Sequence, residues 1–112
     1  MVLNILFIPK SKIQNKIQNK EHMKRVHFVV SGRVQGVCYR HYSAKKAKEL
    51  GLSGFVRNLG DGSVEVVAEG EDKKVDAFLS FCKNNPSHSE VERVEIKEEK
   101  KIKESVLKNF DL

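Results

Sequence analysis

The order of the hydrophobic patterns is the feature of this sequence that most restricts how the chain can fold. From Arg25 onward, segments in which every second residue is apolar are interrupted by two segments in which apolar residues recur at every third or fourth position. The first pattern predicts strands with one buried face, and the second predicts amphipathic helices. The predicted order is strand, helix, strand, strand, helix, strand, and few arrangements of these elements bury every apolar face in one core.

The alternating segments predict four main strands. They are the segment that begins at Arg25, Leu52–Asn58, Ser63–Glu69, and the segment around Val94 and Ile96. Gly60-Asp61-Gly62 lies between the middle two, and such a glycine-rich turn is typical of a β-hairpin. Val106–Phe110 is predicted as a short fifth strand.

The two helical segments predict how the layers pack. The apolar residues of the first are Tyr42, Ala44, Ala47 and Leu50, and those of the second are Val75, Phe78, Leu79 and Cys82. Gly51 is expected to end the first helix, and Pro86 the second. Two helices on one face of an antiparallel sheet would bury both apolar stripes together, which predicts an α+β fold, the ferredoxin-like split β-α-β sandwich (βαββαβ). Because this fold hosts many unrelated activities, function has to be argued from individual residues.

Length and composition exclude several classes of protein. The 112 residues suit one domain. No stretch approaches the ~20 apolar residues of a membrane-spanning helix. Two cysteines are too few for a disulfide scaffold or a four-thiolate zinc site. These features predict one small soluble domain that does not engage a membrane. We further expect it to be cytoplasmic and monomeric.

Residues 1–22 differ from the rest of the chain. They begin with an apolar run and continue with a lysine-rich segment that supplies half of the net charge of +6, so the rest of the chain is nearly balanced in charge. Met23 stands just before the first strand. We predict that residues 1–22 are an N-terminal extension, either an appendage or the product of a misassigned start, and that residues 23–112 form the domain. Alternatively, Leu3–Ile8 adds a strand to the edge of a sheet.

The loop between the first strand and the first helix holds the residues best suited to chemistry, Gly32-Arg33-Val34-Gln35-Gly36-Val37-Cys38-Tyr39-Arg40. Such a junction directs successive backbone N–H groups and the positive end of a helix dipole at one spot. Gly32 and Gly36 can adopt positive φ and let an anion approach the backbone closely. Arg40 adds a planar set of donors that matches the oxygens of a phosphate. Taken alone, the loop is at least as well explained as a tight connection with an incidental arginine.

Two motifs together resemble those of a known family. Gly32–Arg40 resembles the signature loop of the acylphosphatases, and Gly54-Phe55-Val56-Arg57-Asn58 followed by Asp61-Gly62-Ser63-Val64-Glu65 resembles their second signature. The likeness runs in register from Arg25 to Glu69 and more loosely to Glu98. The resemblance implies the ferredoxin-like fold and hydrolysis of the carboxyl–phosphate bond of acyl phosphates, with no metal and no other cofactor.

The resemblance also implies a role for individual residues. Arg40 would bind the phosphate, and Asn58 would hold the attacking water. Gly32 and Ser43 would support the site, with the Ser43 hydroxyl capping the helix or orienting the loop. The backbone amides that would cradle the phosphate are those of Arg33, Val34, Gln35, Gly36, Val37, Cys38 and Tyr39. Without the resemblance, Asn58 would be interpreted as an ordinary hairpin residue.

Thiol and metal chemistry fit the sequence poorly. A thiol phosphatase built on Cys38 would need a Cys-x5-Arg motif, and Ala44 stands where the arginine would be. The four histidines, His22, His27, His41 and His88, lack metal-ligand spacing, so no metal site is predicted and none of them is given a catalytic role. His41 is expected to point into solvent, and His27 to lie on the outer side of its strand.

An RNA-binding module of the RRM type shares this fold, but it stacks bases on aromatic residues of its two central strands. Here the first strand offers only Phe28, and Ser63–Glu69 contains no aromatic residue. We therefore predict a small acyl phosphate as the partner and no nucleic acid. A non-catalytic anion-binding domain and an RRM-like module are kept as alternatives.

Overall fold

The structure, a computed structural model, describes residues 22–112. Within them the chain forms, in order, β1 (Met23–Arg33), α1 (Tyr39–Glu49), β2 (Ser53–Asn58), β3 (Val64–Glu71), α2 (Asp72–Lys83), β4 (Glu90–Ile102) and β5 (Phe110–Asp111). This is the predicted βαββαβ order with a short strand added at its end. Residues 1–21 lie outside the described residues. The predictions for the N-terminal extension and for a strand at Leu3–Ile8 therefore concern residues that the structure does not describe.

The strands form one sheet in the order β4-β1-β3-β2-β5. The four long strands pair antiparallel, with β1 between β3 and β4. The main strands thus form the predicted antiparallel sheet, and the short β5 adds a parallel pair with β2, with Phe110 opposite Gly54, which makes the whole sheet mixed. Neither helix in the described part of the chain is long and apolar enough to cross a membrane.

The core lies between the two helices and one face of the sheet. Val26, Phe28 and Val30 of β1 are fully buried on this face, as their alternation predicted. From α2, the Phe78 ring packs against the Phe28 ring with 6.5 Å between centroids and against the Phe110 ring with 5.6 Å. Burial of both helices against one face confirms the predicted two-layer packing.

The buried stripe of α1 differs from the prediction. Tyr42 is 43% exposed, whereas Tyr39, placed in the loop by the sequence, is buried together with Ser43, Ala44 and Ala47. The helix begins at Tyr39 rather than after Arg40, directly after Cys38, whose φ is 61°. The earlier start makes Tyr39 the first apolar residue of the stripe.

The open face of the sheet carries a buried ion pair that composition did not suggest. Glu69 is fully buried, and its carboxylate accepts a hydrogen bond of 2.6 Å from Arg25 Nε. The same carboxylate accepts hydrogen bonds from the backbone N–H groups of Val106 and Leu107, at 2.9 and 3.0 Å. These contacts explain why β5 is Phe110–Asp111 and not the predicted Val106–Phe110. Val106 and Leu107 donate to a side chain rather than to a neighbouring strand.

Candidate active site

The loop that connects β1 to α1 turns sharply because three of its residues have positive φ. Gly32 has φ 123° and lies at a register shift between β1 and β4. A Cβ atom there would lie 2.2 Å from the Glu90 carbonyl oxygen, so only glycine fits. Gly36 follows with φ 73°, and Cys38, the residue that precedes α1, has φ 61°. The chain thereby passes from a strand into a helix within a few residues.

The turn leaves a row of backbone donors without acceptors. Within residues 22–112, the N–H groups of Gln35–Tyr39 donate to no backbone carbonyl. Arg33 belongs to the ladder with β4, and the Val34 N–H donates to the Gly32 carbonyl at 3.1 Å. The Val34 N–H is thus engaged within a tight turn, and a phosphate cradle over Arg33–Tyr39 stays a prediction. Five consecutive free amides next to a helix N-terminus create positive potential suited to an anion.

One pocket brings the two predicted signatures together. It has a volume of about 310 Å³ and is lined by Val34, Gly36, Cys38, Tyr39, Arg40, His41, Asn58 and Leu112. Arg40 reaches it from the first turn of α1, and Asn58 from the last residue of β2. Residues far apart in sequence thus face the same space beside the loop.

Arg40 and Asn58 are not engaged elsewhere in the protein. In the part of the chain that the structure describes, neither side chain forms a hydrogen bond or ion pair with another residue. The guanidinium is fixed in charge and has only donors, whereas the amide of Asn58 has both donors and an acceptor. The pocket can therefore offer a charged donor fork and an adaptable amide to one ligand.

The first turn of α1 is held firmly from the core side. The Tyr39 hydroxyl donates to the Cys82 carbonyl oxygen at 2.9 Å, and burial raises the pKa of Tyr39 far above its usual value. The Ser43 hydroxyl lies 2.8 Å from the Tyr39 carbonyl oxygen and 3.2 Å from that of Arg40. Ser43 therefore does not cap the helix N-terminus, which was one of its two predicted roles. It bonds the carbonyl groups of the turn that carries Arg40.

The turn after Asn58 is also well ordered by hydrogen bonds. The Gln35 side-chain amide donates to the carbonyl oxygens of Leu59 and Ser63, each at 2.8 Å. Asp61 accepts hydrogen bonds from the Ser63 hydroxyl and backbone N–H, and these bonds lower the pKa of Asp61. The sequence assigned Gln35 to the site only through its backbone, so the contact made by its side chain was missed.

Other predicted residues lie near the pocket without lining it. The Arg33 side chain is exposed, and Val37 packs against the core. His41 is exposed as expected but borders the pocket, next to Arg40. Leu112 was missed altogether, because its place depends on the pairing of β5 with β2, which no local pattern indicates.

The two cysteines differ in their surroundings. Cys38 is exposed at the pocket, and Cys82 is buried in the core, where burial raises the pKa of its thiol to about 12. Among residues 22–112, no three His, Cys, Asp or Glu side chains lie close enough together to hold a metal ion.

Within residues 22–112, the central strands β1 and β3 present no Phe, Tyr or Trp side chain on the open face of the sheet. His27 lies on this outer side, as predicted, and its Nε2 is 2.9 Å from a carboxylate oxygen of Glu65. Burial raises the pKa of Glu65, but hydrogen bonds from His27 and Arg57 outweigh it and lower that pKa overall. Phe28, the aromatic residue of β1, faces the core and is fully buried, which argues against the RRM-like alternative.

In both sequence and structure, the chain is similar to known proteins of one family. The family model for acylphosphatases matches residues 26–112. An acylphosphatase of Methylococcus capsulatus is 55% identical over 76 residues, which is 68% of this chain and 83% of that protein. The crystal structure of an acylphosphatase from Bacillus subtilis aligns with this chain with a TM-score of 0.73 and 30% sequence identity. The alignment covers 80% of this chain and 97% of the Bacillus protein. An acylphosphatase from Coxiella burnetii has a TM-score of 0.71 at 34% identity, with coverages of 84% and 96%.

Proposed function

Because the chain belongs to the acylphosphatase family and is therefore an enzyme that hydrolyses acyl phosphates, we propose which of its groups perform the reaction. Arg40 and the free amides of Gln35–Tyr39 bind the phosphate, and Asn58 positions the attacking water. The observation that carries this proposal is the shared pocket, in which two unengaged polar side chains border a loop of unpaired N–H groups.

The phosphate end of the substrate is bound by the charge of Arg40 and by N–H groups that are held pointing toward it. Arg40 supplies a planar fork of N–H donors that matches two phosphate oxygens. The amides of the loop supply further donors, which are already fixed in direction by the positive φ angles of Gly36 and Cys38. Preorganised donors of this kind stabilise the charge that spreads over the equatorial oxygens in the transition state.

Asn58 suits the attacking water because its amide can both accept and donate hydrogen bonds. The water oxygen attacks phosphorus, the bond from phosphorus to the carboxyl oxygen breaks, and the products are a carboxylate and inorganic phosphate. A phosphate oxygen of the substrate takes the proton from the water. A carboxylate is a good leaving group, so the reaction needs orientation and charge stabilisation more than a strong base.

We propose that this reaction needs no metal ion, since the positive charge of Arg40 and the loop dipoles already face the phosphate. Every group in the proposal comes from one chain, so a monomer suffices. Cytoplasmic residence stays a prediction from the sequence.

The test is the hydrolysis of benzoyl phosphate by chelator-treated enzyme, with inorganic phosphate as a competing ligand. Arg40→Ala should lower kcat/KM by more than about 10³-fold and weaken inhibition by phosphate. Asn58→Ala should lower kcat by about 10²- to 10³-fold and leave phosphate inhibition nearly unchanged. Near-normal turnover by a folded Arg40→Ala variant would overturn the site assignment.

Arg57→Ala is the matched control for the loss of an arginine. Arg57 is the neighbour of Asn58 on β2, but its side chain pairs with Glu65 on the open face of the sheet. We expect this variant to keep kcat and KM within about twofold of the wild type, because it does not touch the pocket. If chelation abolished the wild-type rate and a divalent metal restored it, the metal-free mechanism would be wrong.

A further inference from the structure

We infer that the side chain of Gln35 is a positioning residue that sets the place of Asn58 relative to the phosphate-binding loop. This inference rests on the proposed role of Asn58 in holding the attacking water. It concerns a side chain that does not line the pocket and would not touch the substrate.

The contact that suggests this role is specific in its geometry. Gln35 Nε2 lies 2.8 Å from the carbonyl oxygens of Leu59 and of Ser63. Both partners are acceptors only, so the NH₂ group must face them, and both of its protons are used. The side chain is half-buried, which protects the two bonds from competition by water.

The two acceptors are the residues that close the turn after Asn58. The Leu59 N–H donates to the Ser63 carbonyl at 2.8 Å, and the Gly62 N–H donates to the Leu59 carbonyl at 3.2 Å. Gln35 thus adds donors from the phosphate-binding loop to the base of this turn. Since Leu59 follows Asn58 directly, one side chain joins the two halves of the site.

Asn58 is held through its backbone, which pairs with Val64 of β3, and not through its side chain. It is exposed, it is the last residue of β2, and its side chain has no hydrogen-bond partner within residues 22–112. The position of its amide therefore follows the backbone of β2 and of the turn. A misplacement of about 1 Å at such a group can cost about 10²-fold in rate, so a bond that fixes the turn matters for catalysis.

The chemistry of the contact explains why glutamine is suited to it. Leucine has nearly the same size and no donors, so it would leave the two carbonyl oxygens without this partner. Glutamate has the same length, but its carboxylate would face two carbonyl oxygens and repel them. We therefore expect Gln35→Glu to impair the enzyme more than Gln35→Leu does.

The experiment is a double-mutant cycle with Gln35→Leu, Asn58→Ala and the combined variant, assayed with benzoyl phosphate and with inorganic phosphate as inhibitor. Gln35→Leu should lower kcat by about 10- to 30-fold and change the inhibition constant of phosphate by less than about threefold, since Arg40 and the loop amides remain. In the Asn58→Ala background, the same change should lower kcat by less than about twofold.

Ser63→Ala is the matched control for an unspecific loss of hydrogen bonding within the turn after Asn58. It removes the hydroxyl that bonds Asp61 and leaves the carbonyl oxygen that accepts from Gln35. We expect its kcat to stay within about twofold of the wild type. A loss equal to that of Gln35→Leu would mean that any weakening of the turn suffices, and would overturn a specific role for Gln35.

Two further outcomes would also overturn the inference. If Gln35→Leu lowers kcat by the same factor with and without Asn58, the two residues act independently. If phosphate inhibition weakens in parallel with kcat, Gln35 shapes the loop and not the position of Asn58. The kcat of the Asn58→Ala single variant tests the proposed role of Asn58 on its own. If that variant keeps the full kcat, the proposed role of Asn58 is wrong, and the positioning role of Gln35 is wrong as well.

Discussion

The substitution Glu69→Ala removes a fully buried carboxylate that joins the sheet to the segment before β5. In the wild type this carboxylate accepts hydrogen bonds from Arg25 and from the N–H groups of Val106 and Leu107. The variant leaves a guanidinium without its partner and two backbone donors without an acceptor. We therefore expect a large loss in the free energy of unfolding.

The size of this loss follows from the contacts. Each lost backbone hydrogen bond contributes about 1 kcal/mol. Removing one member of a buried ion pair costs about 3–5 kcal/mol, and the lower end applies because the Arg25 side chain is 23% exposed and can turn to water. These contributions overlap, and we expect a loss of about 4 kcal/mol for Glu69→Ala. Glu69→Gln keeps an acceptor for the two N–H groups and should lose about half as much.

The assay is urea unfolding followed by far-UV circular dichroism, since the chain has no tryptophan. Glu98→Gln is the control, because Glu98 is an exposed glutamate of β4 and should change the free energy of unfolding by less than about 0.5 kcal/mol. If Glu69→Ala unfolds with a free energy within about 0.5 kcal/mol of this control, the argument from the buried carboxylate is refuted.

Two further predictions concern a glycine and a surface carboxylate. Gly54→Ala should lower the free energy of unfolding by more than about 3 kcal/mol or prevent folding, because its φ is 146° and a Cβ there would lie 1.9 Å from a carbonyl oxygen of β3. Gly60→Ala, which meets nothing within 4 Å, is the control in thermal unfolding. The pKa of Glu65 lies below its ordinary 4.5, so its stabilising contribution is present above that pH and is lost as the pH falls through the lower folded pKa. Glu65→Gln should therefore lose less stability than the wild type as the pH falls below about 4.5 in urea unfolding, and an equal loss would contradict this reasoning.

Much of the fold could be predicted because its signals are local. Alternation in β1 and β3 and helical spacing in α2 predicted the apolar core face correctly, with Leu79 only partly buried, since side-chain direction follows from the backbone period alone. The prediction failed for α1, which begins at Tyr39 and buries Tyr39 rather than Tyr42. The Tyr39 hydroxyl donates to the Cys82 carbonyl oxygen of α2, which is a contact between distant segments that no local pattern indicates.

The candidate site was predictable as a set of residues but not as an arrangement. The motif at Gly32–Arg40 and the segment ending at Asn58 pointed to Arg40 and Asn58, and the structure puts both side chains at one pocket. Which amides remain free could not be predicted, because the bond from Val34 to Gly32 depends on the local turn.

The sequence by itself thus determined the order of the elements, the core face of the central strands and the residue types of the site, because each follows from neighbours along the chain. Only the tertiary structure decided the contacts between distant segments. Glu69 is buried because a later segment covers it, and Gln35 finds its acceptors because the turn after β2 folds beside the loop. A polar side chain gains its role from what surrounds it, and those surroundings come from parts of the chain that no local pattern relates to it.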